Sequence, residues 1–124
     1  MEEILVIEDD QGIRETLEDI LELSGYQVTS AKDGQEGLDF ILQQRHVLVL
    51  CDIGMPKLNG FEVLATMMEK ISEDKRPFFI FLSATVEKSE IEHGIALGAN
   101  DYLMKPFDSI ELLSTIDRLL KEKI

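Results

Sequence analysis

The chain has 124 residues, 44% apolar and 30% charged, which suits one domain over 1–124 and leaves no room for a second of ordinary size. Twelve Lys and Arg against 25 Asp and Glu give a formal charge of −13, a balance that disfavours direct nucleic-acid binding because nothing neutralises a phosphate lattice. No apolar run approaches the roughly 20 residues of a bilayer span, no basic leader precedes an apolar segment, and the lone Cys51 makes neither a disulfide nor, by itself, a zinc site; a soluble, cytoplasmic protein without membrane contact is expected.

The first apolar run, residues 4–7, reads as a strand. Helical spacing follows at Ile13, Leu17, Ile20 and Leu21, and Gly25 ends it. A weaker strand is expected over 26–29, then a break at Asp33-Gly34 and a helix whose apolar positions are Leu38, Ile41 and Leu42. Arg45 and His46 lead into a strand over 47–51, which places Cys51 as an inert core thiol and His46 as a solvated loop residue. Asn59-Gly60 opens a helix carrying Phe61, Leu64 and Met68, and residues 78–82 form the fourth strand. A weaker helix is expected over 86–97, with Ile91 and Ile95 inward, Gly94 interrupting it and His93 in solvent. The fifth strand is expected over 101–104, Pro106 breaks the chain, and a last helix turns Ile110, Leu113, Ile116 and Leu120 inward.

Continuous rather than alternating hydrophobicity marks strands buried on both faces, as in a parallel sheet covered by helices. Five such βα units form a doubly wound α/β sheet, and its ligand site lies at the carboxyl ends of the strands. The residues expected there are polar in every case. Glu8-Asp9-Asp10 follows the first strand, Asp52 the third, Ser83 the fourth and Lys105 the fifth. Asp10 reads as a helix cap. Glu8, Asp9 and Asp52 form an oxygen-only cluster that suits Mg²⁺ or Mn²⁺ rather than zinc. A carboxylate nucleophile, a metal, a hydroxyl and an ammonium together make a cradle for a transferring phosphoryl group.

The runs Ile4-Leu5-Val6-Ile7-Glu8-Asp9, Asp52-Ile53-Gly54-Met55-Pro56, Asn59-Gly60-Phe61, Phe81-Leu82-Ser83-Ala84, Gly98-Ala99 and Tyr102-Leu103-Met104-Lys105-Pro106-Phe107 stand in order along nearly the whole chain. In this the sequence resembles the receiver domain of two-component response regulators. The resemblance implies a chemotaxis-regulator-like (βα)5 fold of flavodoxin-like strand order 2-1-3-4-5. It further implies that Asp52 accepts a phosphoryl group from a sensor histidine kinase or histidine phosphotransfer protein, with Ser83 and Lys105 assisting. Asp9, Asp52 and the Gly54 carbonyl would ligate Mg²⁺, with Glu8 acting through water. Ser83 and Tyr102 would form a coupled switch acting on the surface of the fourth helix, fifth strand and fifth helix. Such a domain catalyses its own phosphotransfer and dephosphorylation rather than turning over small substrates, and it serves an output domain or a downstream protein.

Gly54 and Thr85 stand at the positions that tune phosphoryl lifetime in that family, and neither offers a general base, so slow hydrolysis is expected. Ile91 and Thr115 replace the basic residues of the subfamily that dimerises through its fourth helix, fifth strand and fifth helix. Two alternatives stand beside the receiver reading. A metal-dependent phosphohydrolase with an Asp nucleophile would want an acid two residues after it, where Gly54 stands. A non-covalent flavodoxin-like binder would want a glycine-rich phosphate loop after the first strand, where Glu8-Asp9-Asp10 would repel the ligand.

Overall fold

The apolar runs form five parallel strands, β1 (Glu3–Ile7), β2 (Gln27–Ala31), β3 (Leu48–Asp52), β4 (Phe78–Ser83) and β5 (Asp101–Met104), in the order β2-β1-β3-β4-β5. Helices α1 (Gln11–Leu23), α2 (Gly34–Ile41), α3 (Gly60–Lys70), α4 (Lys88–Leu97) and α5 (Ser109–Glu122) connect and follow them, with a short 3-10 turn at Glu73–Lys75. The computed structural model describes residues 2–84 and 87–122. The expected flavodoxin-like architecture is therefore present.

Strand side chains alternate between two cores. Leu5, Ile7, Val49, Cys51, Phe79 and Phe81 meet Ile41 of α2 and Val63, Leu64 and Met67 of α3. Ile4, Val6, Leu48, Leu50, Ile80 and Leu82 meet Leu17 and Leu21 of α1 and Leu112, Ile116 and Leu119 of α5. Burial on both faces explains why β1, β3 and β4 read as unbroken apolar runs instead of alternating ones. Each of these side chains stabilises the fold by about 1.5–3 kcal/mol relative to exposure.

Several local expectations need correction. Tyr26 is not in β2, because Gly25, at φ 96°, closes α1 with a Schellman turn in which the Tyr26 amide donates to the Leu21 carbonyl (3.1 Å). The buried face of α5 is offset from the expected one: Leu112, Ile116 and Leu119 are buried, Leu113 and Leu120 half-buried, and Ile110 is 77% exposed. At about 100° per residue, Ile110 lies on the side opposite Leu112. In α3, Val63 and Met67 join Leu64 in the core while Phe61 and Met68 are half-buried. Leu42 caps α2 and is exposed.

The fourth helix seats itself differently from its pattern. Ile95 faces outward and Ile91 is half-buried, whereas Gly94 is buried. A Cβ at Gly94 would come within 2.9 Å of the Phe81 ring, so the missing side chain is what lets α4 approach the sheet. The expected start at Val86 lies outside the described residues.

His46 is buried rather than solvated, its side chain 1% exposed. Phe40 packs edge-on against it (centroids 6.4 Å apart), and Glu3 Oε2 lies 3.4 Å from Nε2, yet neither ring nitrogen makes a hydrogen bond. Burial lowers its pKa from the ordinary value, outweighing the pull of Glu3. His93 is exposed and packs edge-on against Phe61 (4.6 Å).

A group whose folded pKa is depressed binds fewer protons in the native state, so its contribution is present above the unfolded value of about 6.5 and is lost as pH falls through the folded value. We expect denaturant midpoints to fall as pH drops below about 6.5 and His46→Leu to flatten that part of the profile. An identical slope in both proteins would assign the acid sensitivity elsewhere.

Candidate functional site

Strand order decides which chain segments meet. Because β1 and β3 are neighbours in a register pairing Ile7 with Cys51, the residues that follow, Glu8 and Asp52, stand side by side. The β3–β4 register pairs Asp52 with Leu82, one residue before Ser83, and the β4–β5 register pairs Ser83 with Met104, one residue before Lys105. All the strand-end residues singled out from sequence are thus collected at one edge of the sheet. Glu8 is fully buried, Asp52 and Ser83 are buried, and Asp9 is exposed.

Helix starts fix the surrounding backbone. The Asp10 carboxylate accepts from the Ile13 amide (2.9 Å), the cap expected of it. Asn59 and Glu62 form a reciprocal capping box at α3. Gly60 donates its amide to the Ile53 carbonyl (2.8 Å), and a Cβ there would meet the Asp52 carbonyl oxygen at 2.6 Å, so only glycine brings α3 this close behind Asp52.

Lys105 organises the charge. Its Nζ lies 2.6 Å from Glu8 Oε1 and 3.2 Å from Asp52 Oδ1, reaching from the end of β5 across β4 to β3 and β1. The second Glu8 oxygen accepts from the Asp10 amide (3.1 Å). At Asp52 the Ile53 amide (2.9 Å) and the ammonium both converge on Oδ1, and Oδ2 receives no hydrogen bond from a backbone amide or a cationic side chain among the described residues. One carboxylate oxygen is therefore anchored by an amide and an ammonium, while the Asp9 carboxylate lies against the same side chain. Burial pushes the pKa of Glu8 and of Asp52 up, beyond what Lys105 draws back. Burial pulls Lys105 down, but the hydrogen bond to Glu8 and the charges of both carboxylates raise it above its usual value.

Glu8, Asp9 and Asp52 each offer an oxygen within 4.8 Å of the others. Three carboxylates against one ammonium leave a formal charge of −2, and the donors are all oxygen, which fits a hard divalent cation. Gly54 lies at the rim of an open cleft of about 390 Å³ that also exposes Asp52, Ser83 and Lys105. An apolar cleft of about 540 Å³, lined by Ile13, Thr16, Pro106 and Phe107, opens on the other side of Lys105. Cys51 is buried and donates to the Asp52 carbonyl (3.2 Å), and burial raises its thiol pKa, as suits a core thiol. Thr85 lies outside the described residues.

Ser83 and Tyr102 meet through a residue that sequence reasoning missed. The Ser83 hydroxyl donates to Glu90 Oε1 (3.1 Å) and the Tyr102 hydroxyl donates to the same oxygen (2.8 Å). Glu90 is in the first turn of α4, where nothing in the periodicity separates it from Glu87 or Glu92. Arg14 was also missed; its guanidinium donates to the Glu8 carbonyl (2.8 Å) and fixes the backbone from α1.

Removing the ammonium leaves a buried carboxylate without its counter-charge, a change that costs roughly 3–5 kcal/mol when it breaks a buried pair. Glu8 and Asp52 already bind protons more tightly than in the unfolded chain, so the destabilisation grows as pH rises through their folded values and is relieved by acid. In EDTA, Lys105→Met is expected to melt well below wild type at pH 7 and closer to it at pH 5. A deficit independent of pH would mean that the ammonium does not offset these two carboxylates.

Comparison with known proteins shows the family to which the fold belongs. The profile of the family described as response regulator receiver domain matches residues 4–117. The transcriptional regulatory protein DltR of Streptococcus agalactiae is 41% identical over 113 residues, 91% of this chain and 49% of that protein. The response regulator MprA of Mycolicibacterium vanbaalenii is 41% identical over 118 residues, 95% of this chain and 50% of that one. The chain thus spans about half the length of the curated relatives it matches. Among solved structures, a CheY-like receiver domain protein from Methanospirillum hungatei superposes with a TM-score of 0.91 at 30% identity, covering 99% of this chain and 96% of that one. The chemotaxis protein CheY4 of Vibrio cholerae gives 0.87 at 30% identity, covering 95% and 98%. With the family profile spanning residues 4–117 and these structures matched over nearly their whole length, the chain belongs to the response regulator receiver domains.

Proposed function

We propose that the chain, as a single receiver domain over 1–124, accepts a phosphoryl group on Asp52 from a phosphohistidine of a sensor histidine kinase or histidine phosphotransfer protein in the cytoplasm. The observation that carries this is the setting of Asp52, where Oδ1 takes the Ile53 amide and the Lys105 ammonium and the carboxylate lines an open cleft beside Ser83 and Lys105. In the step, an Asp52 oxygen attacks phosphorus, the new P–O bond forms as the P–N bond breaks, and the imidazole leaves with a proton in place of the phosphoryl group. Lys105 faces the charge spread over the transferred oxygens, and Ser83, at the same cleft, offers a hydroxyl to one of them.

Asp9, Asp52 and the Gly54 carbonyl would hold Mg²⁺ or Mn²⁺, with Glu8 acting through water. Bound there, the ion supplies charge neutralisation at the phosphoryl oxygens. The apolar cleft beside Lys105 gives the donor protein a surface next to the acceptor. The regulator names of DltR and MprA, and the half-length match to them, support a role as input to an output segment or a downstream partner.

Incubation with acetyl phosphate and Mg²⁺ is expected to add one phosphoryl mass to the chain, and Asp52→Asn to abolish the gain. Intact-mass spectra showing equal incorporation in both proteins would remove Asp52 from this role.

Metal is also expected to stabilise the unphosphorylated fold. At a concentration about 100 times its Kd, linkage supplies about 2.7 kcal/mol. Asp9→Asn is expected to weaken Mg²⁺ binding and, by relieving repulsion with Asp52, to melt above wild type in EDTA. Titrations followed by thermal melting check this; superimposable curves would place the ion elsewhere.

A further inference from the structure

We propose that Glu90 is a positioning residue that latches the switch in its resting state by occupying the protons of Ser83 and Tyr102. This inference rests on the receiver reading of Asp52 and extends it to a residue on α4. Each hydroxyl has one proton to donate. Here both point at one oxygen, Glu90 Oε1, at 3.1 and 2.8 Å. Ser83 therefore cannot donate to a phosphoryl oxygen on Asp52 without releasing Glu90, and its release leaves Tyr102 as the carboxylate's remaining partner in the cluster.

The geometry makes the competition direct. Glu90 lines the same 390 Å³ cleft as Asp52, Ser83 and Lys105, so its carboxylate faces the space where phosphoryl charge would arrive. The tie also crosses elements. Ser83 ends β4, Tyr102 lies in β5 and Glu90 is in the first turn of α4, where the N-cap residue Glu87 makes no side-chain cap. Within α4 only Gly94 is buried among the described residues, with Leu97 packed partly buried against the core, and the shared acceptor ties the first turn of the helix to β4 and β5. Redirecting the Ser83 hydrogen bond from Glu90 to a phosphoryl oxygen would loosen that turn and free the Tyr102 ring to move, carrying a change at Asp52 to the outer surface of α4.

The test uses the 124-residue chain with Mg²⁺ and beryllofluoride, a phosphoryl mimic, in wild type, Glu90→Ala and Glu90→Gln. The sequence has no Trp and two Tyr, so a Tyr26→Phe background makes Tyr102 the sole tyrosine signal in fluorescence or NMR. Losing an acceptor shared by two hydroxyls raises the fraction of competent chains. Beryllofluoride is therefore expected to bind Glu90→Ala about ten-fold more tightly than wild type, and the Tyr102 signal of ligand-free Glu90→Ala to move toward the bound form. Glu90→Gln keeps a neutral acceptor oxygen and is expected to fall between the two.

Wild-type affinity and an unmoved Tyr102 signal in Glu90→Ala would overturn the latch. So would equal tightening in Ala and Gln, which would assign the effect to charge repulsion alone. If wild type binds no beryllofluoride, the receiver reading fails, while the ligand-free Tyr102 signal still decides whether Glu90 restrains the switch. Glu90 is half-exposed and alanine favours helix, so both variants are expected to fold; unfolding midpoints check that.

Discussion

The Lys105 ammonium joins the ends of three strands that are distant in sequence. Without it, the side-by-side placement of Glu8 and Asp52 that the β1–β3 register imposes would set two buried carboxylates against each other with nothing between them. With it, the repulsion becomes an anchored arrangement in which Asp52 Oδ1 is held by the ammonium and by the Ile53 amide. The pairing also makes the fold complete only when β5 is in place, since the cation arrives with the last strand of the sheet.

Around this centre the polar groups divide into a static and a movable set. Glu8, Asp10, Arg14, the Ile53 amide and the Asn59–Glu62 box fix backbone, and each is tied to a helix start or a strand end. Ser83, Glu90 and Tyr102 are joined through their side chains, on elements that meet at the sheet's β5 side. A site that must keep its nucleophile in place and still report a change of charge benefits from this separation, because the second set can rearrange without disturbing the first.

The strands β1, β3 and β4 were legible because fully buried parallel strands leave unbroken apolar runs, and Asp52 and Ser83 stand at the ends of two of them; the strand order came from the family resemblance rather than from the runs. Helix faces were less legible. In α5 the leucines at 112, 113, 119 and 120 offer two overlapping stripes, and packing against the sheet selects between them. Burial of His46 depends on cover from Phe40 and Glu3, neither adjacent in sequence. Glu90 was invisible for a related reason: its partners lie on β4 and β5, and an acid among other acids on an exposed helix carries no local mark of them.

Seating α4 on the sheet through a glycine has a thermodynamic consequence. A helix that plugs the core with leucines must open a cavity to shift, at a cost that scales with the void left behind. Gly94 leaves no such void, since its contact with Phe81 is backbone against ring. Displacement of α4 is therefore expected to cost less than that of α1, which buries Leu17 and Leu21, or of α5, which buries Leu112, Ile116 and Leu119. A shift of this helix would leave most of the two apolar cores and the carboxylate–ammonium centre in place, since their buried side chains come from other elements.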